Sequence, residues 1–193
     1  MLVPDSVRVT ILARLRLMNR MERRVVGCAS AIGCGFGLDV LSATVTCSRA
    51  QARTALERAQ MLELVVAEPH AERFTFRHAL IRDVIYGELI TTRTRLLHRR
   101  IARALERVGA ERDAHLSDLA YHSWAAGDVR RGIRYNELAG DRAAALHALD
   151  DAGMHFTRAR GLVAVGSHAH GRLSKKLRAL DRARLAVGDD VPV

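Results

Sequence analysis

Rings are scarce in this chain: aromatic residues make up only 4% of its 193 positions, lysine occurs only at Lys175 and Lys176, and no apolar run is long enough to cross a bilayer. Each scarcity excludes something. A core built from Ala, Leu, Val and Ile favours close helix packing over sandwiches that depend on aromatic side chains. With so little lysine, the net charge of +10 is almost wholly arginine, and a GC-rich genome produces the same Arg and Ala excess through codon usage. The charge by itself is therefore weak ground for a nucleic-acid partner, although clustered cations do supply the phosphate-neutralising part of such binding. The cysteines, Cys28, Cys34 and Cys47, are odd in number and lack Cys-x-x-Cys spacing. That argues against a disulfide framework or a zinc knuckle and in favour of a reducing cytoplasm. The apolar stretch from Gly27 to Leu38 is too short for a membrane span, and Asp5 and Arg8 precede any apolar run at the N-terminus, so neither a transmembrane helix nor a signal peptide is expected. Disorder is excluded by a hydrophobic fraction of 49%.

Catalytic constellations are missing as well. "GCGFG" (Gly33 to Gly37) lacks both a Gly-Lys-Ser/Thr ending and Gly-x-Gly-x-x-Gly spacing, so we expect a turn between helices instead of a phosphate loop. His168 and His170 flank Ala169 in a stretch with glycine and serine, which reads as an exposed linker. His115 and His122 do not have the spacing of a helical metal pair, and His-Glu-x-x-His does not occur. No Gly-x-Ser-x-Gly elbow is present and no cysteine has an identifiable basic partner, so a nucleophile lacks a candidate. The expectation is a protein that is not an enzyme, with no metal and no cofactor of its own.

What is present is periodicity. After Pro4 and Asp5, Val7, Ile11, Leu15 and Met18 recur at helical spacing, and Val25, Val26, Ala29 and Ile32 mark a second helix. A short helical segment is expected around Leu38 to Ala43. Ser48 and Gln51 stand in the relation of a capping box before Ala52, Ala55, Leu56, Ala59 and Leu62, which makes the next helix the best signalled in the chain. "LELVVAE" and "RFTFRH", separated by Pro69, His70 and Ala71, read as a two-stranded hairpin. Three helices followed by a hairpin is the order of a winged helix, expected over residues 1–92. Helical period returns at Ile81, Val84, Ile85 and Leu89, breaks at Thr91 and Thr92, and resumes through Leu97, Ile101, Ala104, Leu105 and Val108.

Residues 93–193 read as helical pairs. Small residues at Ala120, Ala139, Ala143, Ala152 and Ala159 alternate with Trp124, Tyr135 and Phe156, a mixture suited to repeats of the tetratricopeptide kind, whose period is ~34 residues. The fold class expected is thus mainly α: a winged helix followed by an incomplete array of tetratricopeptide-like hairpins.

Two sets of arginines are candidates for a partner or nucleic-acid surface. Arg49, Arg53 and Arg58 lie on the helix that would enter a DNA groove in a DNA-reading winged helix. They lack an Asn, Ser or Lys cluster to read bases or grip phosphates, and the solvated-face reading is preferred. Arg95, Arg99 and Arg103 form a stripe opposite an apolar face; they read as solvated, with an acidic partner surface as the alternative.

"FTFRHALIRDVIYGELITTRTRLLHRRIARALE" (Phe74 to Glu106) resembles a segment of the large bacterial signalling ATPases of the STAND class. Their Phe-Arg-His-Ala-Leu-Ile-Arg element, apolar-Tyr pair, arginine run and Leu-His-x-x-Ile-Ala-x-Ala-Leu-Glu helix occur in this order. The flanks "VPDSVRVTILARLRLMNRMERRVVGCASAIGCGF" and "LAYHSWAAGDVRRGIRYNELAGDRAAAL" extend the resemblance to about residues 3 to 165. It implies a winged helix that closes over a nucleotide held by an upstream P-loop domain, a helical array that senses a ligand or partner, and a LuxR-type DNA-binding or cyclase output. This chain has no P-loop, no Walker-type acidic strand and no output domain, so it is expected to be a fragment, a split-gene product or an accessory subunit. ATP or ADP would then be met only through the upstream domain.

By the same resemblance, His78 would touch the β-phosphate of ADP with Arg77 or Arg82 as helpers, and a helix N-terminus favours anions there in any case. The plainer reading makes His78 only the cap of the helix that follows. A non-enzymatic regulatory segment is the leading expectation, and a DNA-binding winged-helix regulator the runner-up. Leu173, Leu177, Leu180 and Leu185 predict an apolar stripe on the last helix with no repeat after it to cover it, and hence self-association or fraying there.

Overall fold

The computed structural model describes residues 4–69, 71–89, 91–109 and 115–188, with 91–93 and 186–188 as backbone only. His70, in the expected hairpin connection, lies outside the described residues. The chain divides into two compact units, Met1–Val108 and Gly109–Val193.

The first unit runs α1 (Asp5–Arg16), α2 (Arg20–Ile32), β1 (Gly35–Gly37), α3 (Leu38–Val45), α4 (Arg49–Met61), β2 (Val65–Ala67), β3 (Arg73–Phe76), α5 (Ala79–Gly87) and α6 (Thr91–Gly109). Local signals set most of these limits. Ser48 Oγ accepts from the Gln51 N–H while Gln51 reaches back to the Ser48 N–H, the capping box expected from the sequence. Asn19 and Glu22 build a second one that opens α2. Pro4 stands at the start of α1 and Asp5 in its first turn, where a carboxylate suits the helix dipole.

One expectation is corrected. Gly33 to Gly37 is not simply a turn between helices: Gly35–Gly37 pairs antiparallel with β3, and the hairpin becomes a three-stranded sheet in the order β1-β3-β2. The reason is Phe36. It stands opposite Phe74 in the register, and its ring lies 6.1 Å from that of Phe74 and 5.7 Å from that of Phe76. All three rings are buried on one face of the sheet, against Val25, Val26, Leu41, Leu56 and Leu64. Burying a phenylalanine contributes roughly 2–3 kcal/mol, enough to outweigh the low strand preference of the flanking glycines. The alternating phenylalanines of "FTFRH" are thus the inward face of a strand.

The second unit has four α-helices and no strand among its described residues: α7 (Leu116–Ala125), α8 (Val129–Ala145), α9 (Leu149–Arg160) and α10 (His168–Gly188). Consecutive helices pack on one another. Ala120, Ala139, Ala152 and Ala159 are buried, as the spacing of small residues predicts, and Phe156 is buried in one cluster with Ala152, Ala159 and Leu173. Gly140 is required where it stands, since a Cβ there would fall on the Phe156 ring. Trp124, by contrast, is 40% exposed, with Arg158 above its ring at 5.1 Å.

Two further readings change in this unit. The Leu stripe of the last helix is not left uncovered: Leu173 and Leu180 are buried and Leu177 partly so, in a cluster with Ala152, Phe156 and Ala159, and only Leu185 stands exposed. The apolar face turns to the preceding helix, which removes the observation on which the self-association expectation rested. His168 and His170 open α10 instead of lying in a linker.

Candidate functional site

The site to test is the start of α5, where the sequence sets His78. Phe76 ends β3 by turning into the core, Arg77 gives its N–H to the Leu64 carbonyl at 3.1 Å, and His78 takes the N-cap position with extended backbone. Its side chain makes no capping hydrogen bond and is exposed. The plainer reading, a histidine that caps the helix, is therefore met by the backbone alone: the His78 carbonyl accepts from the Ile81 N–H at 3.0 Å.

His78 lines a groove of about 520 Å³ between α1 and α5, together with Ser6, Thr10, Arg14 and Leu80. Ser6, Thr10 and Arg14 come from one face of α1 at four-residue spacing, so the helix presents two hydroxyls and a guanidinium to the same space. The Thr10 hydroxyl donates to the Ser6 carbonyl at 2.9 Å. Arg14 donates to the Leu62 carbonyl at 3.3 Å and lies 3.5 Å from a Glu63 oxygen. An anion entering here would meet the first N–H groups of α5, an imidazole and one guanidinium, with Glu63 as the opposing charge.

The two helper arginines are not gathered with His78 in this groove. Arg77 does not line it and faces Glu63, 3.8 Å away. Arg82 is committed elsewhere: its Nε donates to the Ser30 carbonyl of α2 at 2.9 Å, Nη1 to Asp83 at 2.9 Å, and its guanidinium lies 5.0 Å from the Tyr86 ring centre. It ties α5 to α2. Arg14 was not singled out in the sequence, because its only signal is a position on an amphipathic helix whose partner cannot be read locally.

Arg49 and Arg53 are exposed on α4 but not unpaired. Both bond the Glu72 carboxylate before β3, and Arg49 also meets Asp39 of α3. Arg58 is half-buried near the end of the same helix. The stripe of Arg95, Arg99 and Arg103 is where its period sets it, on the exposed side of α6, while Ile101, Ala102, Ala104 and Leu105 are buried.

Two buried histidines were missed. His98 of α6, 3% exposed, has Nε2 3.0 Å from the Tyr86 hydroxyl, and burial with Arg82 nearby pushes its pKa down to about 4. The ring is therefore neutral, and it shares one hydrogen bond with the tyrosine hydroxyl. His155 sits within 3.0 Å of Asn136, and burial, with Arg158 adding to it, lowers its pKa. Asn136 donates to the carbonyls of Ala120 and Gly132 at 2.9 Å each, so its Oδ1 is left to accept from His155 Nδ1–H. This relay joins α7, α8 and α9. A sequence shows only that such residues are polar; that they face inward depends on the neighbouring helix.

Among the described residues there is no group of three side chains able to hold a metal ion, and no helix is long and apolar enough to cross a membrane. The fold defines a mainly helical protein with one small antiparallel sheet. Comparison with protein families, with characterised proteins and with solved structures finds no match for the chain.

Proposed function

We propose that this chain is a non-enzymatic regulatory and interaction segment of the STAND type, coupling the nucleotide state of a P-loop domain to a helical sensor array. The observation that carries the reading is His78: an exposed imidazole at a helix N-cap, with no capping bond, on a groove it shares with Arg14. Such a position leaves both the ring and the helix N-terminus available to a phosphate presented from outside.

The architecture supports the same reading. In the first unit, α2, α3 and α4 precede the hairpin β2–β3, and β1 ties that hairpin to the helices, which we read as a winged helix. In the second, Arg172 bonds Glu137 at 2.8 Å and Lys176 bonds Asp141 at 2.6 Å, each across 35 residues and from α10 to α8. That separation is close to the ~34-residue period of tetratricopeptide repeats. The DNA-binding reading is weakened because Arg49 and Arg53 already face carboxylates, leaving less charge to neutralise phosphates.

The test is calorimetry of the purified chain with a P-loop ATPase domain encoded in the same genome, with and without ADP. We expect ADP-dependent association that His78→Ala weakens by about tenfold or more, with an unchanged thermal melt, and no ATP hydrolysis by the chain alone. Association indifferent to ADP, or equal in the variant, removes the phosphate contact. Salt-sensitive binding to duplex DNA without any ATPase association would transfer the reading to a DNA regulator.

A further inference from the structure

A second cavity in the first unit is built differently from the His78 groove. It encloses about 530 Å³ beside α2, between the end of α5 and the first turns of α6. Its walls are Leu89, Leu97 and the backbone of Gly27, where a Cβ would stand 3.4 Å from Leu89. Three arginines, Arg23, Arg24 and Arg100, also line the cavity. The one carboxylate in the lining, Glu88, is already bonded by Arg8 at 2.7 Å.

The arginines differ in their commitments. Arg24 donates to the Val45 carbonyl at 2.7 Å, which fixes its head. Arg23 and Arg100 have no side-chain hydrogen bond or ion pair among the described residues. An apolar floor of this size with unbalanced positive charge at its edge is suited to a molecule with an apolar body and an anionic head; ligand cavities commonly span about 300–1,000 Å³.

We infer that this cavity binds a small soluble anionic amphiphile, a carboxylate or phosphate ester whose apolar part lies over Leu89, Leu97 and Gly27 and whose head is held by Arg23, Arg24 and Arg100. The charge complementarity selects the anion: an equivalent cation would meet three guanidiniums, and a neutral alcohol would leave them unused. Cys28 lines the same space and reports on it. Its half-buried thiol is held neutral, with burial raising its pKa to about 11, so it is slow to alkylate and easily shielded. Exposed Cys34 serves as a control within the same chain. The inference does not rest on the reading of His78.

The experiment titrates the full chain by calorimetry with octanoate, octyl phosphate, octanol and octyltrimethylammonium, and follows iodoacetamide labelling of Cys28 and Cys34 by mass spectrometry. We expect both anions to bind at least about tenfold more tightly than the alcohol or the cation and to slow labelling of Cys28 while leaving Cys34 unchanged. Arg23→Gln and Arg100→Gln, both at exposed positions, should each weaken the anions several-fold with unaltered melts and leave the alcohol unaffected. Equal affinity for all four probes, or anion binding that spares Cys28 or ignores both substitutions, overturns the proposal. So does binding confined to vesicles of phosphatidylglycerol and phosphatidylcholine, which would mark a membrane-facing surface.

Discussion

The two units reach cohesion by opposite means. In Met1–Val108 large rings join the sheet to the core: Phe36, Phe74 and Phe76 hold three short strands against the helices, within a cluster that is otherwise aliphatic. In Gly109–Val193 the helices come close because residues are small: Ala120, Ala139 and Ala152 are buried, and Gly140 makes room for the ring of Phe156. Close approach then makes polar bonding between helices worthwhile, and Asn136 with His155 joins three of them from inside. The difference teaches that a chain poor in aromatics can still build a sheet where it concentrates three of its four phenylalanines.

The comparison is broken most directly at Phe36. Phe36→Ala should destabilise the first unit by about 3–5 kcal/mol, as for other fully buried rings, read by urea denaturation and by faster hydrogen exchange in α2 and α4. A loss of under about 1 kcal/mol would mean that β1 is incidental to the core and that the units do not differ as described.

Acid provides a second test. His98 has a folded pKa of about 4, below its unfolded value of 6.5. The unfolded chain therefore binds the proton first, so stability is complete above about pH 6.5 and declines as the pH falls toward 4, by up to about 3 kcal/mol. His155 shifts in the same direction and adds to the decline in the second unit. His98→Gln should flatten the dependence over that window in the first unit, followed by denaturant midpoints at stepped pH. A variant that keeps the full wild-type slope would assign the acid sensitivity elsewhere.

The smallest of the three effects sharpens the contrast from the other side. Asn136→Ala leaves the His155 Nδ1–H without its acceptor and removes the second bond to the helical carbonyls of Ala120 and Gly132, so a cost of about 1–3 kcal/mol is expected, with exchange quickening in α8 and α9. Asn136→Leu should do no better, because the buried His155 Nδ1–H still lacks an acceptor. If either variant is neutral, small-residue packing alone holds the second unit.

Much of this was legible locally, and the exceptions share one cause. The Ser48 and Gln51 box, the alternation of Phe74 and Phe76, and the run of small residues from Ala120 to Ala159 are patterns completed within a few turns or strand positions. Gly35–Gly37 became a strand only because β3, more than thirty residues away, supplied a partner for Phe36. The Leu stripe of α10 was correctly apolar, but what covers it was a question about α9. At the candidate site, His78 announced itself through its motif, whereas Arg14 came to the groove from a separate helix.

Sequence alone therefore determined the helical class, the caps that start α2 and α4, the alternating strand face, the exposed arginine stripe of α6 and the lack of any familiar catalytic motif. These depend on periodicity and on hydrogen bonds between residues three or four apart. Tertiary structure decided the third strand, the commitment of Arg82 to Ser30 and of Arg49 and Arg53 to acidic neighbours, the burial of His98 and His155, and the cavity ringed by Arg23, Arg24 and Arg100. Each of those needs two segments far apart in the chain to meet, and whether a polar side chain faces water or a partner is settled only by what the other segment brings.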